Sequence, residues 1–354
     1  MKIAQISPLY EAVPPRLYGG TERIVAHLTD ALVDLGHEVT LFASAEAQTK
    51  ARLVPVRDQA IRLDPAPLKS DLAAHMNMLH EVRSRADEFD ILHFHSDLLQ
   101  FPFFEDIAQR TVTTIHGRLD LKDLPETYRR WPQFPLVSIS DSQREPLRFA
   151  NWAATVHHGM SPELYNFSAD GGDGYLAFLG RISPEKRPDR AIAIAKRAGL
   201  KLKIAAKVDN ADKVYFREQI EPLLDHPLIE FIGEIGDAEK SVFLANARAL
   251  LFPIDWPEPF GLVMIEAMAC GTPVIAWHCG SVPEVVDDGV SGFVVNSEAA
   301  AVAAIARLDQ IDRRQVRRTF ENRFSSIVMA YRYLEVYQRL IGIEGAAQDL
   351  PQTA

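Results

Sequence analysis

The sequence predicts an α/β protein made of two doubly wound domains in tandem, each built on a parallel β-sheet. Short apolar runs alternate with helical patterns along most of the chain, as is typical of parallel strands covered by helices on both faces. A polar, glycine-rich stretch at 166–174 interrupts this alternation and has the composition of a linker. The length of 354 residues suits two domains and is too long for one small core.

The linker sets the expected domain boundaries. We expect a first Rossmann-like domain at 1–165 and a second at 166–324, followed by a last helical region at 325–342 and a loose tail at 343–354. Ligands of doubly wound sheets bind outside the carboxyl ends of the strands. We therefore expect the functional site in a central cleft that both sheets face.

The elements of the first domain follow from hydrophobic periodicity. The segment Gly20–Leu35 places Ile24, Leu28 and Leu32 on one helical face, and Gly36 is the residue type that ends helices in the left-handed conformation. A second helical segment is expected at Leu72–Ala86. The apolar runs that predict strands are Lys2–Ile6, Val39–Ala43, Ile91–Phe94, Thr111–Ile115, Leu136–Ile139 and Thr155–His157.

The second domain repeats the alternation after the linker. Its expected strands are Tyr175–Leu179, Lys203–Ala206, Ile229–Ile232, Ala249–Phe252 and Pro273–Trp277. Its expected helices are Pro188–Ala198, Val214–Leu224, Ala238–Ala245 and Leu262–Cys270, with Ser325–Leu340 as the last helix of the chain.

Composition excludes several classes of protein. The net charge of −10 argues against a nucleic-acid-binding protein, which needs a basic face. The two cysteines, Cys270 and Cys279, lack the further ligands of a zinc site and indicate a reducing compartment without disulfides. No signal peptide and no run of roughly 20 apolar residues is evident. We expect a cytoplasmic enzyme with no indicated membrane association.

The strongest motif is the segment from Trp256 to Ile275, which contains Glu258 and Glu266. Two prolines and Gly261 hold an extended turn before a helix that starts near Leu262. The unpaired amides and positive dipole end of that helix suit a diphosphate. The two carboxylates can accept hydrogen bonds from hydroxyls on either side of it. The alternative, in which Glu258 is a turn residue and Glu266 a solvated helix residue, is disfavoured because Glu266 lies in an apolar helix.

Two further turns carry residues suited to a phosphate. Arg181 and Lys186 lie on a strand-to-helix turn, where they can balance the charge of a diphosphate leaving group, although loop cations are often only solvated. In the first domain, Gly19 and Gly20 open a helix after the first strand and let the backbone approach a ligand. This glycine pair matches neither a dinucleotide fingerprint nor an ATP phosphate loop, and alone it is also consistent with a simple turn.

Histidines follow two strands of the first domain. His93 and His95 share one strand face, but no acidic third ligand is spaced to complete a metal site, and His93 is expected to be a satisfied core residue. His116 ends the next strand before a glycine, and we favour a functional role for it. The pair His157 and His158 is interpreted as a domain-junction strand and turn.

Together these residues resemble glycosyltransferase family 4, the retaining transferases with the two-Rossmann-domain GT-B fold. Glu258 and Glu266, with seven residues between them, match the family's Glu-x7-Glu motif, and Gly180-Arg181 with Lys186 matches its Gly-Arg-x4-Lys motif. The resemblance runs from the glycine pair to the last helix. One departure is Arg187-Pro188, where the family often has glycine, and this leaves the role of Arg187 open.

The resemblance implies a role for each matched residue. Arg181 and Lys186 would bind the donor diphosphate in place of a divalent metal, Glu258 would hold the transferred sugar, and Glu266 the ribose. His116 would contact the donor sugar or the reacting region, and the last helix would cross back onto the first domain. The backbone groups expected to face the donor belong to Gly19, Gly20, Gly233, Ile235, Phe260, Gly261, Leu262 and Val263.

The activity implied is transfer of a hexose from a UDP- or GDP-sugar to an acceptor such as a glycan, a lipid-linked sugar or a small molecule. The family retains the anomeric configuration, and we favour a front-face displacement with no cofactor and no metal. A covalent intermediate on Glu258 is disfavoured because no carboxylate beneath the ring is identified. The alternatives are a GT-B sugar-nucleotide epimerase and an inactive nucleotide-sugar-binding protein.

Overall fold

The computed structural model describes residues 1–16, 19–171 and 174–342, with the side chains at 237 and 238 left aside. Within these residues no helix is both long and apolar enough to cross a lipid bilayer. The chain divides into two compact units, Met1–Ser161 joined by the chain from Ser325 onward, and Pro162–Phe324. This division falls after Ser161, whereas the linker composition places it after Tyr165.

The first unit is a seven-stranded parallel sheet in the order β3-β2-β1-β4-β5-β6-β7. Its strands are β1 Lys2–Ile6, β2 Glu38–Ser44, β3 Arg52–Arg57, β4 Ile91–Phe94, β5 Thr111–Thr114, β6 Leu136–Ser138 and β7 Trp152–Thr155. Its helices are α1 Gly20–Asp34, α2 Asp71–Ser84, α3 Leu124–Arg130, α4 Asp141–Arg144 and α13 Ser326–Leu340.

The second unit is a six-stranded parallel sheet in the order β10-β9-β8-β11-β12-β13. Its strands are β8 Tyr175–Arg181, β9 Leu202–Lys207, β10 Ile229–Gly233, β11 Ala247–Phe252, β12 Val274–Trp277 and β13 Gly292–Val295. Its helices are α5 Pro188–Ala198, α6 Lys213–Tyr215, α7 Glu221–Leu224, α8 Asp237–Ala245, α9 Leu262–Ala269, α10 Val282–Val285, α11 Glu298–Ile305 and α12 Arg313–Phe324. A π-helical turn, Phe216–Ile220, joins α6 to α7.

Most of the expected elements are present, and the differences have physical causes. The strand expected at Thr155–His157 is wrong, because β7 ends at Thr155 and pairs with β6 from Trp152 onward. The sequence analysis did not identify β3, which contains Pro55. Proline is tolerated there because β3 is an edge strand. The strand β13 and the helices α3, α4, α10, α11 and α12 were also not identified.

The last helix, α13, packs on the first unit against α1. The side chain of Ser325 caps it by accepting a hydrogen bond from the Val328 amide. Gly159 passes so close to Ser325 that a Cβ would collide with the Ser325 carbonyl. Tyr333 and Tyr337 of this helix are fully buried. The helix therefore contributes side chains to the interior of the first unit, although it follows the second unit in sequence.

Both cysteines have packing roles. Cys270 is fully buried, its thiol donates to the Ser241 carbonyl at 3.6 Å, and burial raises its pKa to about 12. The Cys279 thiol donates to the Trp256 carbonyl at 3.1 Å.

Candidate functional site

One edge of the second sheet carries most of the residues singled out from the sequence. Because all its strands are parallel, their carboxyl ends meet at this edge. Arg181 ends β8, Gly233 ends β10, and the turn 253–261 follows β11.

The turn after β8 is fastened to the turn after β11. The Asp255 amide donates to the Glu185 carbonyl at 2.9 Å. Arg187 donates to the carboxylates of Asp189 and Asp255, each at 2.8 Å. These hydrogen bonds raise the pKa of Arg187 above its ordinary value. Arg187 has a φ of 54° and is the N-cap of α5, and its side chain links the turn after β8 to the turn after β11 through Asp255.

Lys186 and Glu258 meet across these two turns. The Lys186 ammonium forms an ion pair with Glu258 Oε2, and the Trp256 indole donates to the same oxygen at 2.8 Å. The ammonium also lies 5.3 Å from the Trp256 ring centroid and 5.7 Å from that of Phe252. The Lys186 and Glu258 side chains are only 17% and 12% exposed, so both charges are well sheltered from water. Such shelter strengthens electrostatic interactions with a ligand.

Two glycines and a serine hold the turn that carries Glu258. Gly280, at a φ of 56°, packs so closely on Glu258 that a Cβ would collide with its backbone. The Ser281 amide donates to the Glu258 carbonyl at 3.0 Å, and its hydroxyl donates to the Phe260 carbonyl at 2.7 Å. Gly261, at a φ of 80°, is the N-cap of α9. The backbone path needs glycine at both positions.

The start of α9 is where the sequence analysis expects a diphosphate to bind. No side chain of the described residues caps this helix, whose first residues are Leu262 and Val263. Phe260 is 2% exposed and packs beneath the turn, at a ring distance of 6.1 Å from Phe324. The amides of the first turn are therefore not occupied by a capping side chain.

Glu266 is buried, at 5% exposure, one turn into α9. The Tyr165 hydroxyl donates to its Oε1 at 3.0 Å, and the Lys240 ammonium lies 3.6 Å from the same oxygen. The interpretation of Glu266 as a solvated helix residue is therefore wrong. Its role toward a ribose stays a prediction.

Arg181 lies at the end of β8 between two acids. It is hydrogen-bonded to Glu185 at 3.3 Å and to Asp209 at 3.4 Å, and its side chain is 30% exposed. Burial alone would raise the pKa of Asp209, but hydrogen bonds from Lys207 and Arg181 outweigh it and lower that pKa. Ile235 follows Gly233 on the loop after β10, and both are half-buried. The structure thus places Arg181, Gly233 and Ile235 on the same sheet edge.

In the first unit, Gly19 and Gly20 lie at the start of α1, after β1. A Cβ on Gly19 would lie 2.7 Å from the Cβ of Pro15, so the loop packs tightly there. The preceding residues of the motif, Leu17 and Tyr18, lie outside the described residues.

Four histidines of the first unit, His93, His95, His116 and His158, form one cluster. His95 Nδ1 lies 2.9 Å from His116 Nε2, and the His116 ring stacks on His158 at a centroid distance of 5.1 Å. Both nitrogens of His93 are hydrogen-bonded, to Tyr337 and Thr114, which confirms that it is a satisfied core residue. Burial lowers the pKa of His116 to about 3, and the pKa values of His93, His95 and His158 are also lowered by burial.

The described residues contain no group of three or more His, Cys, Asp and Glu side chains placed to hold a metal ion. Hydrogen bonds to the Gln5 amide, to the Thr114 and Tyr337 hydroxyls and between imidazoles hold the histidine cluster.

Four residues of these sites were missed by sequence reasoning, namely Gln5, His158, Tyr165 and Lys240. His158 was interpreted as part of a junction, but it stacks on His116. Gln5 follows two apolar residues on the central strand β1, and a polar residue in a buried strand was the available signal. Tyr165 and Lys240 reach Glu266 from distant parts of the chain, and no local pattern marks them.

Known proteins match both halves of the chain. Residues 166–323 match the family model for glycosyl transferases group 1, and residues 18–157 match that for glycosyltransferase family 4. A phosphatidyl-myo-inositol mannosyltransferase of Mycolicibacterium smegmatis is 26% identical over 390 residues, covering 97% of this chain and 95% of the relative.

Two solved structures share the fold. AviGT4, a glycosyltransferase involved in avilamycin A biosynthesis, superposes with a TM-score of 0.74 at 24% identity, covering 97% of this chain and 98% of that one. Anabaena Alr3699/HepE, solved in complex with UDP and glucose, superposes with a TM-score of 0.72 at 18% identity, covering 96% and 100%.

Proposed function

The chain belongs to glycosyltransferase family 4 and has the GT-B fold, and from that premise we propose that it transfers a hexose from a nucleotide-diphosphate sugar to an acceptor hydroxyl group, retaining the anomeric configuration without a metal ion. The observation that supports this most directly is the sheltered group of Lys186, Glu258 and Trp256 beside the uncapped start of α9. It combines a cation for phosphate, a carboxylate for hydroxyls and open backbone amides.

The leaving group is the first part of the proposed chemistry. As the glycosidic bond to phosphate breaks, negative charge develops on the nucleotide diphosphate. Lys186 and Arg181, each held on a fastened turn, would stabilise that charge together with the amides of α9. Fixed positive charge of this kind does in the proposal what a divalent ion does in other transferases.

The sugar is the second part. Glu258 Oε2 already accepts from Lys186 and Trp256. A carboxylate has about four acceptor positions, so Glu258 keeps capacity for a hydroxyl of the transferred sugar. Glu266, oriented by Tyr165, would hold the ribose hydroxyls of the nucleotide. The acceptor hydroxyl attacks the anomeric carbon on the face of the departing phosphate, through an oxocarbenium-like state, as the bond from that carbon to the phosphate oxygen breaks and the hydroxyl proton passes to the departing phosphate.

The relatives suggest where to begin with donors. One is a mannosyltransferase by name, and another was solved with UDP and glucose. We propose a UDP- or GDP-hexose of the glucose or mannose type as donor. The acceptor class remains a glycan, a lipid-linked sugar or a small molecule.

The first experiment screens UDP-, GDP- and ADP-sugars for thermal stabilisation of the protein and for release of the nucleoside diphosphate. A bound donor raises the unfolding temperature by mass action. We expect one donor to stabilise the protein and to be cleaved slowly, and Glu258→Gln to lose cleavage. The control Glu298→Gln, which alters an ion pair on α11 of the same unit, should keep it. Stabilisation without cleavage of any donor would indicate a binding protein, and isomerised donor would indicate an epimerase.

The second experiment tests retention. Proton NMR of the hexose released in the first minutes, before mutarotation, reports its anomeric configuration. An α-linked donor should give the α-hexose first. Initial release of the β-hexose would refute retention while leaving glycosyltransfer intact.

A further inference from the structure

Beyond the residues that match the family motifs, the first unit contains a buried network of hydrogen-bonded polar side chains that ends at His116. Its members come from β1, from the ends of β4 and β5, and from α13. Gln5, His93, Tyr333 and Tyr337 are fully buried and His95 is 2% exposed. Groups so buried need mutual hydrogen bonds, because water does not supply them.

The hydrogen bonds of this network determine which ring nitrogens of its histidines carry a proton. The Gln5 side-chain carbonyl lies 2.8 Å from His95 Nε2, so that nitrogen carries a hydrogen and donates. The neutral imidazole of His95 then has an unprotonated Nδ1, which accepts from His116 Nε2 at 2.9 Å. The tautomer of one histidine is thus set by its neighbour, as expected for paired imidazoles.

The other end of the Gln5 amide is consistent with this assignment. Its nitrogen donates to the Tyr337 hydroxyl at 3.2 Å, which donates in turn to His93 Nδ1 at 2.7 Å. His93 Nε2 donates to Thr114 at 2.7 Å, and Thr114 is hydrogen-bonded to Tyr333 at 2.8 Å. Gln5 Nε2 also lies 3.4 Å from His93 Nδ1, which accepts in both contacts, so each ring nitrogen of His93 and His95 keeps one role, as donor or as acceptor.

One nitrogen atom at the end of this network has no hydrogen-bonding partner among the described residues. With its proton on Nε2, His116 has an acceptor lone pair on Nδ1, which is that buried atom. Burial keeps the imidazole uncharged, since it lowers the pKa of His116 to about 3. An uncharged, buried acceptor without a partner suits a ligand that brings a donor group.

We propose that Gln5 and His95 are positioning residues that hold His116 in the Nε2–H tautomer, so that His116 Nδ1 accepts a hydrogen bond from a hydroxyl group of the substrate. The ligand class is a polyhydroxylated molecule, and the part concerning substrate rests on the proposed function. The tautomer itself does not depend on that function, so the two parts are tested separately.

The tautomer is measured directly in the full-length protein labelled with ¹⁵N-histidine. Long-range ¹⁵N–¹H correlations at pH 7.5 distinguish a protonated ring nitrogen from an unprotonated one, and His116→Gln assigns the signal. We expect protonated Nε2 and unprotonated Nδ1 in the wild type. A proton on Nδ1 in the wild type would overturn the proposal without any other variant.

Variants of His95 test whether this residue determines the tautomer of His116. His95→Leu removes the acceptor, and the His116 proton should shift toward Nδ1. His95→Asn places a carbonyl oxygen where Nδ1 was, and it should restore the Nε2–H form. Tyr333→Phe is the matched control, because it removes a buried hydroxyl at the opposite end of the network and should leave the His116 tautomer unchanged. An unchanged His116 tautomer in His95→Leu would refute the positioning role.

The substrate part is read from kinetics on the donor that the screen identifies. We expect His95→Leu to lower kcat/KM roughly tenfold, the rate equivalent of one ordinary hydrogen bond. Thermal stabilisation by the bare nucleoside diphosphate should stay the same, and His95→Asn should recover most of the rate. If His95→Leu also lost thermal stabilisation by the bare nucleoside diphosphate, in proportion to its loss of rate, His95 would have only a structural role. If the tautomers are as expected but the wild type cleaves no donor, the proposed function fails and the positioning stands.

Discussion

The buried histidines predict that the first unit loses stability in mild acid. His93, His95 and His158 are at most 4% exposed, and burial lowers the pKa of each well below its usual value. In the unfolded chain the same side chains titrate near 6.5. As the pH falls below about 6.5, the unfolded chain therefore binds protons that the folded unit does not, and acid favours unfolding.

The size of the effect follows from linkage. At pH 5.5, one unit below the unfolded pKa, each such histidine lowers the free energy of unfolding by about 1.4 kcal/mol relative to pH 7.5. The three together give about 4 kcal/mol. His116, which is partly exposed and has a folded pKa of about 3, acts in the same direction. Most carboxyl groups titrate near pH 4 and lie below this window, but desolvation raises the pKa of Asp97 to about 6, which stabilises the folded unit in mild acid and acts against the histidines.

Glu22 has the opposite effect to the histidines on the stability of the first unit in mild acid. It is 5% exposed in the first turn of α1, and burial raises its pKa to about 7, partly offset by backbone hydrogen bonds. Between pH 7 and its unfolded value near 4.5, the folded unit holds a proton that the unfolded chain does not, which stabilises it in acid. At pH 5.5 this contributes about 2 kcal/mol. The expected net loss from pH 7.5 to 5.5 is therefore about 2 kcal/mol, to which His116 adds and which Asp97 reduces.

The assay is urea unfolding followed by tryptophan fluorescence. Trp131 and Trp152 lie in the first unit, so a background with Trp256→Phe and Trp277→Phe reports on that unit alone. Glu22→Gln in this background removes the larger of the two opposing groups and should widen the loss to about 4 kcal/mol. A stability that does not change between pH 7.5 and 5.5, or a Glu22→Gln variant with the same pH dependence as its parent, would refute the reasoning.

Three further predictions concern the second unit. Lys186→Ala and Arg181→Ala should each lower kcat/KM by roughly 10²–10³, the usual cost of one preorganised electrostatic contact, while the unfolding midpoint changes far less. Arg197→Ala, which removes an exposed ion pair on α5, is the control, and equal activity in all three variants would mean that the turn after β8 is ordinary surface. Trp256→Phe keeps an aromatic ring beside Lys186 but loses the indole donor to Glu258, so the rate should fall roughly tenfold with little change in donor affinity. Full activity in Trp256→Phe would show that the indole donor does not matter. EDTA should leave turnover unchanged in a continuous assay of nucleotide release, and strong inhibition reversed by added divalent ion would show that a metal is required.

Local patterns in the sequence identified residues of the second unit that the structure brings together at one edge of the sheet. Glu258 and Glu266 are close in sequence and lie on one turn and its helix, so their spacing alone fixes their approximate separation. The same holds for Arg181 and Lys186, which one strand-to-helix turn carries. Hydrophobic periodicity likewise identified β8 to β12, because buried parallel strands are continuous apolar runs.

Local patterns were less informative where an element is short, lies at an edge or depends on pairing. The edge strand β3 contains a proline, and β13 is a four-residue strand. The end of β7 was misplaced because the residues that follow it, from Val156 to His158, have a similar apolar and polar pattern. Pairing with β6, rather than propensity, decides where that strand stops.

The amino-acid sequence by itself determined the two α/β sheets, the acidic pair, the basic turn and the glycine that starts α9. The tertiary structure alone decided which groups those residues meet. The side chain of Lys186 contacts that of Glu258, which is 72 positions away in sequence. His95 contacts Gln5 across 90 positions, and His93 contacts Tyr337 across 244 positions. The physical reason is that strand order brings the carboxyl ends of non-consecutive strands together, and a returning helix adds side chains from the far end of the chain. No local pattern encodes such contacts, and they are what orient the carboxylate and imidazole groups of both units.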